Sequence, residues 1–149
     1  MTLKKSLRKL KHFMPFDNKS EKIYRVVHEL LQNYQEVGLP IAAFDRCKLD
    51  ITSETGISVD RAGDRDNYQA TADIAKRFKK HKPDSSIISF PVHLCDTAKI
   101  HINESPSRNN RYHCDLWGNL NDKDLSKKQK LQLADNHTLE LMRIGNRAD

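Results

Sequence analysis

Hydrophobic residues near the start of the chain recur with the period of a helix. Leucines lie three or four residues apart between Thr2 and His12, and lysines occupy many of the positions between them. This pattern predicts a basic amphipathic helix. Such a helix can dock on the rest of the protein, lie on an anionic membrane or bind a nucleic-acid backbone. We therefore expect a basic amphipathic N-terminal segment over residues 1–19 and a single α+β domain over residues 20–149.

A broader apolar stripe between Ile23 and Val37 predicts the first helix of the domain. Ser20 is a suitable N-cap, because a serine side chain accepts a hydrogen bond from the first turn of a helix. Gly38 and Pro40 would end this helix, since glycine favours the helix C-terminus and proline cannot continue a helix. We expect the stripe to cover a sheet or another helix.

Two more helices are predicted further along the chain. Residues 67–81 carry apolar residues at helical spacing and end in a basic turn before Pro83. A C-terminal helix is predicted from about Leu125 to Gly145, and Asp135 with Asn136 is a candidate break within it.

Alternation of apolar and polar residues predicts a β-hairpin over residues 99–117. The runs KIHI and RYHCDLW flank a polar loop that contains proline, serine and asparagine. Setting Ile102 opposite Tyr112 places the apolar side chains together on one face of the hairpin. The same register sets His101 opposite His113 on the other face.

A further strand is predicted over residues 85–95, SSIISFPVHLC, where Pro91 indicates an edge strand or a bulge. Helices therefore precede a short run of strands, and another helix follows them. This order predicts an α+β fold, in which N-terminal helices pack on a small antiparallel sheet and a helix forms the C-terminus.

The chain has a net charge of +6, and its lysines and arginines are clustered. Two basic runs contain no acid, one within residues 1–12 and one at the end of the helix predicted over residues 67–81. Clustered positive charge favours a polyanionic partner, most often nucleic acid. The alternative is that basic helix ends only complement the helix dipole. The predicted nucleic-acid-binding residues are Lys76, Arg77, Lys79, Lys80 and Lys82, together with Arg46 and Trp117.

The polar face of the predicted hairpin carries residue types that can bind a phosphate and move a proton. The candidate catalytic residues are Lys99, His101, Arg111, His113 and Asp115. One neutral imidazole would accept the proton of a ribose 2′-hydroxyl, and a protonated imidazole would donate a proton to the leaving oxygen. The cations would stabilise the charge on the phosphorus centre, and the aspartate would orient a histidine. The alternative is an ordinary solvated sheet face.

No metal or other cofactor is expected from the sequence. Histidine and cysteine do lie close together, at His93 with Cys95 and at His113 with Cys114. Adjacent residues of a strand point to opposite faces, so the second pair is not expected to bind one ion. The P-loop, dinucleotide-binding, GxSxG and HExxH motifs are also missing, which disfavours nucleotide hydrolysis, dinucleotide redox chemistry and serine or zinc hydrolysis.

Two features of the sequence bear on localisation. No apolar run approaches the length of a membrane span and no signal peptide is recognisable, so we expect a cytoplasmic protein. The three cysteines, Cys47, Cys95 and Cys114, are odd in number and lack CxxC spacing, which indicates reduced thiols.

Three segments match motifs of one known family in the same order along the chain. They are LLQNYQEVGLPIAAFDRCKLD, AKIHI and ADNHTLELMRIG. These segments resemble a helix with a GxLPxxFGRD motif, a histidine-bearing strand and the C-terminal helix of the YafO-type mRNA interferase toxins, relatives of the RelE superfamily. The resemblance implies a small basic α+β ribonuclease that cuts mRNA at the ribosome and is neutralised by an antitoxin. It also places His101, Arg111 and His113 near the cleavage site.

We therefore predict a metal-independent endoribonuclease, the toxin of a toxin–antitoxin pair, that acts on RNA and in particular on ribosome-bound mRNA. Two alternatives remain open. One is a non-enzymatic nucleic-acid-binding or regulatory protein that uses the two basic runs and whose binding weakens with salt. The other is a protein-interaction module, such as an effector or immunity-type factor, with the N-terminal helix as its anchor.

Overall fold

A computed structural model describes residues 16, 18–28, 38–45 and 56–147 of the chain. The amphipathic helix predicted within residues 2–12 lies outside these ranges, and so do Arg46 and Cys47. All structural statements below concern the described residues.

A six-stranded antiparallel sheet organises this part of the chain. The strands are β1 (Lys22–Val27), β2 (Ile57–Arg61), β3 (Ser86–Pro91), β4 (His101–Glu104), β5 (His113–Trp117) and β6 (Thr138–Leu141). Their order across the sheet is β4-β5-β2-β1-β3-β6, and every neighbouring pair is antiparallel. The sheet therefore has β4 and β6 as its edges.

Three α-helices follow β2, β3 and β5 within the described ranges. They are α1 (Asn67–Phe78), α2 (Val92–Thr97) and α3 (Lys127–Asn136). Capping boxes begin two of them, with Asp66 and Gln69 at α1 and Ser126 and Gln129 at α3, and each box satisfies two backbone N–H groups. Short 3-10 turns lie at Ile41–Phe44 and Ile144–Asn146. None of the helices in the described ranges has the length and apolar character needed to cross a membrane.

The predicted fold, with N-terminal helices packed on a small antiparallel sheet, is wrong. Residues 23–37 are predicted as a helix, but residues 22–27 form β1 in the interior of the sheet, and the described helices follow β2, β3 and β5. β1 is rich in β-branched and aromatic residues, and it buries Ile23 and Val27 on one face and Tyr24 on the other. A strand buried on both faces loses its alternation, so its periodicity does not distinguish it from a helix. Residues 29–37 of the predicted helix lie outside the described ranges.

The other two predicted helices have different outcomes. The helix predicted over residues 67–81 is confirmed as α1, which ends at Phe78 and is followed by a turn. The C-terminal helix is shorter than predicted. α3 ends at Asn136, where the sequence indicated a break, and the next residues pair with β3 as β6.

Pro91 does not mark an edge strand, because β3 lies between β1 and β6. Pro91 is the last residue of β3 and the N-cap of α2. A proline is tolerated there because the first N–H groups of a helix have no partner within the helix. The proline thus separates a strand from a helix within the segment predicted as one strand.

The hairpin forms, but the predicted register is wrong. Ile102 lies opposite Leu116 instead of Tyr112, and His101 lies opposite Trp117 instead of His113. The connection is residues 105–112 instead of the predicted 103–110, and within it Ser107 and Asn110 bond to each other through both backbone N–H groups at 2.9 and 3.2 Å. The register moves by an even number of residues, so every side chain keeps its predicted face.

The two faces of the sheet are covered differently. α2, α3 and the turn at Ile41–Phe44 cover one face, and their apolar residues join those of β1, β2, β3 and β5 in the larger core. α1 and the turn at Ile144–Asn146 pack on the other face in a second core that includes Tyr24 and Ile87. We call this second face the α1 face.

Apolar contacts of α1 are concentrated over β1 and β3, whereas the α1 face of β2, β5 and β4 is polar. We call this area the polar half. Its residues are Ser58 and Asp60 on β2, His113, Asp115 and Trp117 on β5, and His101 and Asn103 on β4.

Candidate functional site

Side chains on the polar half face one another in rows across the strands. Between β2 and β5, Asp60 faces His113 and Ser58 faces Asp115; between β5 and β4, Asp115 faces Asn103 and Trp117 faces His101. An antiparallel sheet can present one such polar face to water or to a ligand. The polar half is therefore the part of the sheet where a polar partner can bind.

His113 is held at the start of β5 by a residue of the loop between β4 and β5. Its Nδ1 atom lies 2.8 Å from Oγ and 3.2 Å from the carbonyl oxygen of Ser105. A carbonyl oxygen only accepts hydrogen bonds, so the contact with it is satisfied when Nδ1 carries a hydrogen. This arrangement is compatible with both the neutral and the charged ring. These two contacts of the ring are both at Nδ1, so Nε2 is the ring nitrogen that can face a ligand.

Asp60 is a buried carboxylate that fixes an arginine of α1. Arg77 donates from Nη2 to Oδ2 of Asp60 at 2.7 Å, and Asn110 donates from Nδ2 to Oδ1 at 3.0 Å. Arg65 adds a more distant guanidinium, 3.7 Å from the same carboxylate. Only 7% of Asp60 is exposed, whereas about a third of the Arg77 side chain, 32%, reaches solvent. The contact with Asp60 thus holds the guanidinium of Arg77 where α1 meets the polar half.

A cleft of about 190 Å³ lies where the end of α1 meets the sheet. Side chains that can bind or transfer protons line it together, and they are His28, Ser58, Asp60, Arg77 and His113. Phe78 of α1 forms an apolar part of the wall. Two histidines, His28 and His113, and two arginines, Arg25 and Arg77, are therefore among the residues that line the cleft.

His28 follows β1 and reaches this cleft beside α1. Its ring contacts that of Phe78, with 5.9 Å between the centroids. Partial burial lowers the pKa of His28, and the positive charges of Lys82 and Arg25 lower it further. The ring is therefore neutral at pH 7, which suits a general base.

Two of the predicted catalytic residues lie away from the polar half. Lys99 is in the turn after α2 with a left-handed backbone (φ 60°), outside β4. Arg111 lies in the loop before β5, where its Nη2 donates to the hydroxyl of Tyr112 at 2.5 Å and lies 3.5 Å from a carboxylate oxygen of Asp64. The five candidate catalytic residues therefore do not form one strip.

His101, His113 and Asp115 lie on the same face of the sheet, but the two histidines are far apart. Because His101 faces Trp117, four residues separate its row from that of His113. At about 3.3 Å per strand residue, this separation is about 13 Å along the sheet. The two histidines therefore do not face each other across the strands, as the predicted register required.

Asp115 and Trp117 carry buried polar atoms without a partner. Only 2% of Asp115 is exposed, and its Oδ1 atom makes no hydrogen bond. The indole Nε1 of Trp117 is likewise buried and makes none. The Trp117 ring lies 5.6 Å from the His101 ring and 5.4 Å from the ammonium of Lys123.

Some residues of the basic run at the end of α1 form contacts within the protein, and others are exposed. Arg77 is bound to Asp60, and Lys79 donates to the carbonyl oxygen of Arg147 at 2.5 Å. Lys76, Lys80 and Lys82 are exposed, and no side-chain contact of theirs occurs within the described ranges. These three lysines are available to a polyanion.

Comparisons with known proteins add no relative: no family model, curated protein or solved structure matches the chain. The site is therefore described from its own geometry.

Sequence reasoning missed three features of this site. His28 falls within the first predicted helix, Asp60 is not among the candidate residues, and Arg77 is a candidate only for its charge. A strand assignment for residues 22–27 would have placed His28 at the end of β1. No sequence pattern pairs Asp60 with Arg77, because the contact depends on how α1 crosses the sheet.

The described residues contain neither a metal-binding cluster nor a reactive thiol. No group of three or more histidine, cysteine, aspartate or glutamate side chains there could hold a metal ion. Cys95 and Cys114 are buried free thiols. Burial raises the pKa of Cys95 to about 12 and raises that of Cys114 as well, so both remain protonated at neutral pH.

Proposed function

We propose that this protein is a metal-independent endoribonuclease whose active site is the cleft between α1 and the polar half. The observation that supports the proposal is that His28, His113 and Arg77 line one small cleft. This set replaces the predicted set of Lys99, His101, Arg111, His113 and Asp115, of which His113 alone lines the cleft. RNA supplies its own nucleophile, so the protein needs only an acid, a base and a cation.

His28 serves as the general base. Its lowered pKa keeps it neutral, and it accepts the proton of the ribose 2′-hydroxyl. The 2′-oxygen then attacks phosphorus, and the bond from phosphorus to the 5′-oxygen breaks. His113 in its imidazolium form gives the Nε2 proton to the leaving 5′-oxygen. The products are a 2′,3′-cyclic phosphate and a 5′-hydroxyl.

Arg77 stabilises the additional negative charge on the phosphorus centre. A guanidinium suits this role because its N–H groups match two phosphate oxygens at once. Its contact with Asp60 orients it before RNA binds, so little reorganisation is needed. The exposed Lys76 on α1 and Lys80 in the turn that follows it bind flanking phosphates of the RNA backbone.

The proposed location and partners rest on the sequence. Acting on mRNA requires a cytoplasmic protein, and the resemblance to the interferase toxins implies ribosome-bound mRNA as substrate and an antitoxin as partner. These three points stay predictions.

The test uses the purified full chain and a single-stranded RNA oligonucleotide in buffer with EDTA. We expect cleavage to 2′,3′-cyclic phosphate and 5′-hydroxyl ends, and no cleavage of the same oligonucleotide with 2′-O-methyl groups. His113→Asn should lower the rate by about 100-fold or more. The matched control is His93→Asn, because His93 is exposed on α2 at the opposite face. Absence of cleavage, or cleavage that leaves 5′-phosphate ends, would contradict the proposal.

A second candidate function is non-enzymatic binding of single-stranded nucleic acid. The ring pair of Trp117 and His101 on a polar sheet face favours it, since such rings stack on bases. In this case the chain would bind RNA in a salt-dependent manner without producing new RNA ends, and His113→Asn would bind as tightly as the wild type.

A further inference from the structure

The Oδ1 atom of Asp115 is buried and accepts no hydrogen bond. The exposed fraction of the residue is 2%, and no donor to Oδ1 occurs among the described residues. An unsatisfied buried polar group costs about 1–3 kcal/mol, and a charged group costs more. Native proteins keep few such groups, and they often belong to a functional site.

Trp117, on the same face of β5, has a buried hydrogen-bond donor without an acceptor. Its Nε1 atom is a donor without an acceptor, two residues beyond Asp115. Since both atoms lack partners, they do not bond to each other. A ligand that satisfies both must offer donors at one position and an acceptor at its other side.

The residues that face Asp115 and Trp117 on one side belong to an edge strand of the sheet. β4 is an edge strand of four residues, and its Asn103 and His101 side chains lie opposite Asp115 and Trp117. Both side chains are half-buried, and Asn103 makes no side-chain hydrogen bond within the described ranges. Rotation of these two side chains would open the space above Asp115. The His101 ring can then stack on a planar ligand.

We infer that Asp115 and Trp117 form a recognition site for guanine. Among the four RNA bases, guanine alone presents two adjacent N–H donors, N1–H and N2–H, which match the two oxygens of one carboxylate. Guanine also carries acceptors, O6 and N7, on the side that would face the indole N–H. The inference rests on the proposed function, in that the guanine belongs to the RNA whose phosphodiester enters the neighbouring cleft.

The experiment uses the fluorescence of Trp117, which is the only tryptophan of the chain. The full chain is titrated with guanosine, adenosine, cytidine and uridine 5′-monophosphates. We expect the guanosine nucleotide to change the emission at the lowest concentration. Inosine 5′-monophosphate lacks the N2 amino group and should bind about 10- to 100-fold more weakly, as expected for one hydrogen bond to a charged group.

A variant of the carboxylate separates recognition from folding. Asp115→Asn replaces one acceptor by an N–H donor, so it should lose guanosine monophosphate and gain xanthosine monophosphate, which has a carbonyl oxygen where guanine has the amino group. A folding defect cannot produce this gain. Asp135→Asn is the control, because Asp135 is exposed on α3 across the sheet, and it should bind as the wild type does.

Equal binding of all four nucleotides, or no binding of guanosine monophosphate, would overturn the guanine site. Loss of guanosine binding in Asp115→Asn without the xanthosine gain would also overturn it. The outcomes distinguish the two proposals. RNA cleavage without guanosine binding refutes the guanine site alone, and guanosine binding without RNA cleavage refutes the ribonuclease alone.

Discussion

Arg77 on α1 donates to Oδ2 of Asp60 on β2 at 2.7 Å, and this contact connects the basic end of the helix to the polar half of the sheet. Asp60 faces His113 across the strands, so one carboxylate lies next to both functional groups. The Arg77–Asp60 ion pair and the pairing of β2 with β5 therefore fix the positions of Arg77 and His113 in the cleft. All three residues lie in a helix or a strand. Groups held in this way need little reorganisation when a substrate binds.

Arg61 is expected to be important for stability. It is buried on the face opposite the cleft and pairs with Glu21 at 2.6 Å and with Glu104 at 2.7 Å. Arg61→Met leaves two buried carboxylates without their cation and should lower the free energy of unfolding by about 3–5 kcal/mol in urea denaturation. Arg143→Met removes an exposed pair with Asp84 and should cost less than about 1 kcal/mol. Equal losses in the two variants would contradict this assignment.

Gly56 is expected to set the position of Trp117. A Cβ atom at Gly56 would lie 2.2 Å from the carbonyl oxygen of Leu116 and 2.5 Å from Cδ1 of Trp117. Gly56→Ala should therefore displace the indole, shift its emission and destabilise the protein by about 1–3 kcal/mol. Gly38→Ala is a useful comparison, because Gly38 has φ +75° but no neighbour within 4 Å. It should lower stability without changing the emission, and an unchanged emission in Gly56→Ala would refute the prediction.

The pKa of His28 should respond to one lysine. Burial and the charges of Lys82 and Arg25 lower this pKa below the ordinary value of 6.5. Lys82→Gln removes a repelling charge, so the pKa of His28 should rise towards 6.5 in an NMR titration without RNA. Since the neutral ring is the base, the acid side of the rate profile should move to higher pH in the same variant. Lys80→Gln should leave the titration of His28 unchanged, and an equal shift there would count against the assignment.

The same lowered pKa has a consequence for stability. Below pH 6.5 the unfolded chain binds a proton at residue 28 more readily than the folded chain does, so the wild type loses stability as the pH falls. His28→Asn removes this titration. The free energy of unfolding of His28→Asn minus that of the wild type should therefore be larger at pH 5 than at pH 7.5. No change in this difference would show that the environment of His28 is not as described.

RNA affinity should depend on the exposed lysines near the end of α1 and in the turn after it. Replacing Lys76 and Lys80 together by glutamine should weaken binding and reduce the slope of log affinity against log salt by about 0.7 per lost phosphate contact. The control replaces Lys127 and Lys128, which are exposed on α3 on the opposite face. An equal reduction in the control would show that only overall charge matters.

Local patterns predicted α1 and the existence of the hairpin, because an amphipathic helix and alternating strands leave a period in the sequence. β1 was mistaken for a helix, since the residues of KIYRVV are buried on both faces of the sheet. β6 was missed because its pairing partner, β3, lies about fifty residues earlier in the chain. Long-range pairing leaves no local period.

The candidate site was predicted only in part. The face of His101, His113 and Asp115 followed from alternation, and an even register error did not change it. Their neighbours did not follow, because the internal hydrogen bonds of the hairpin loop set the register. The cleft requires α1 to cross the sheet beside His113, and that placement depends on the second core. Tertiary packing therefore decided which charged residues meet.

The central claim is that His28 and His113 act together on one phosphodiester. The most direct measurement is the rate of RNA cleavage in EDTA by the wild type, His28→Asn, His113→Asn and the double variant. Residues that act as a unit have strongly non-additive effects, so the double variant should be about as slow as the slower single variant. If the two losses multiply, or if either single variant cleaves at the wild-type rate, the two histidines do not share one active site.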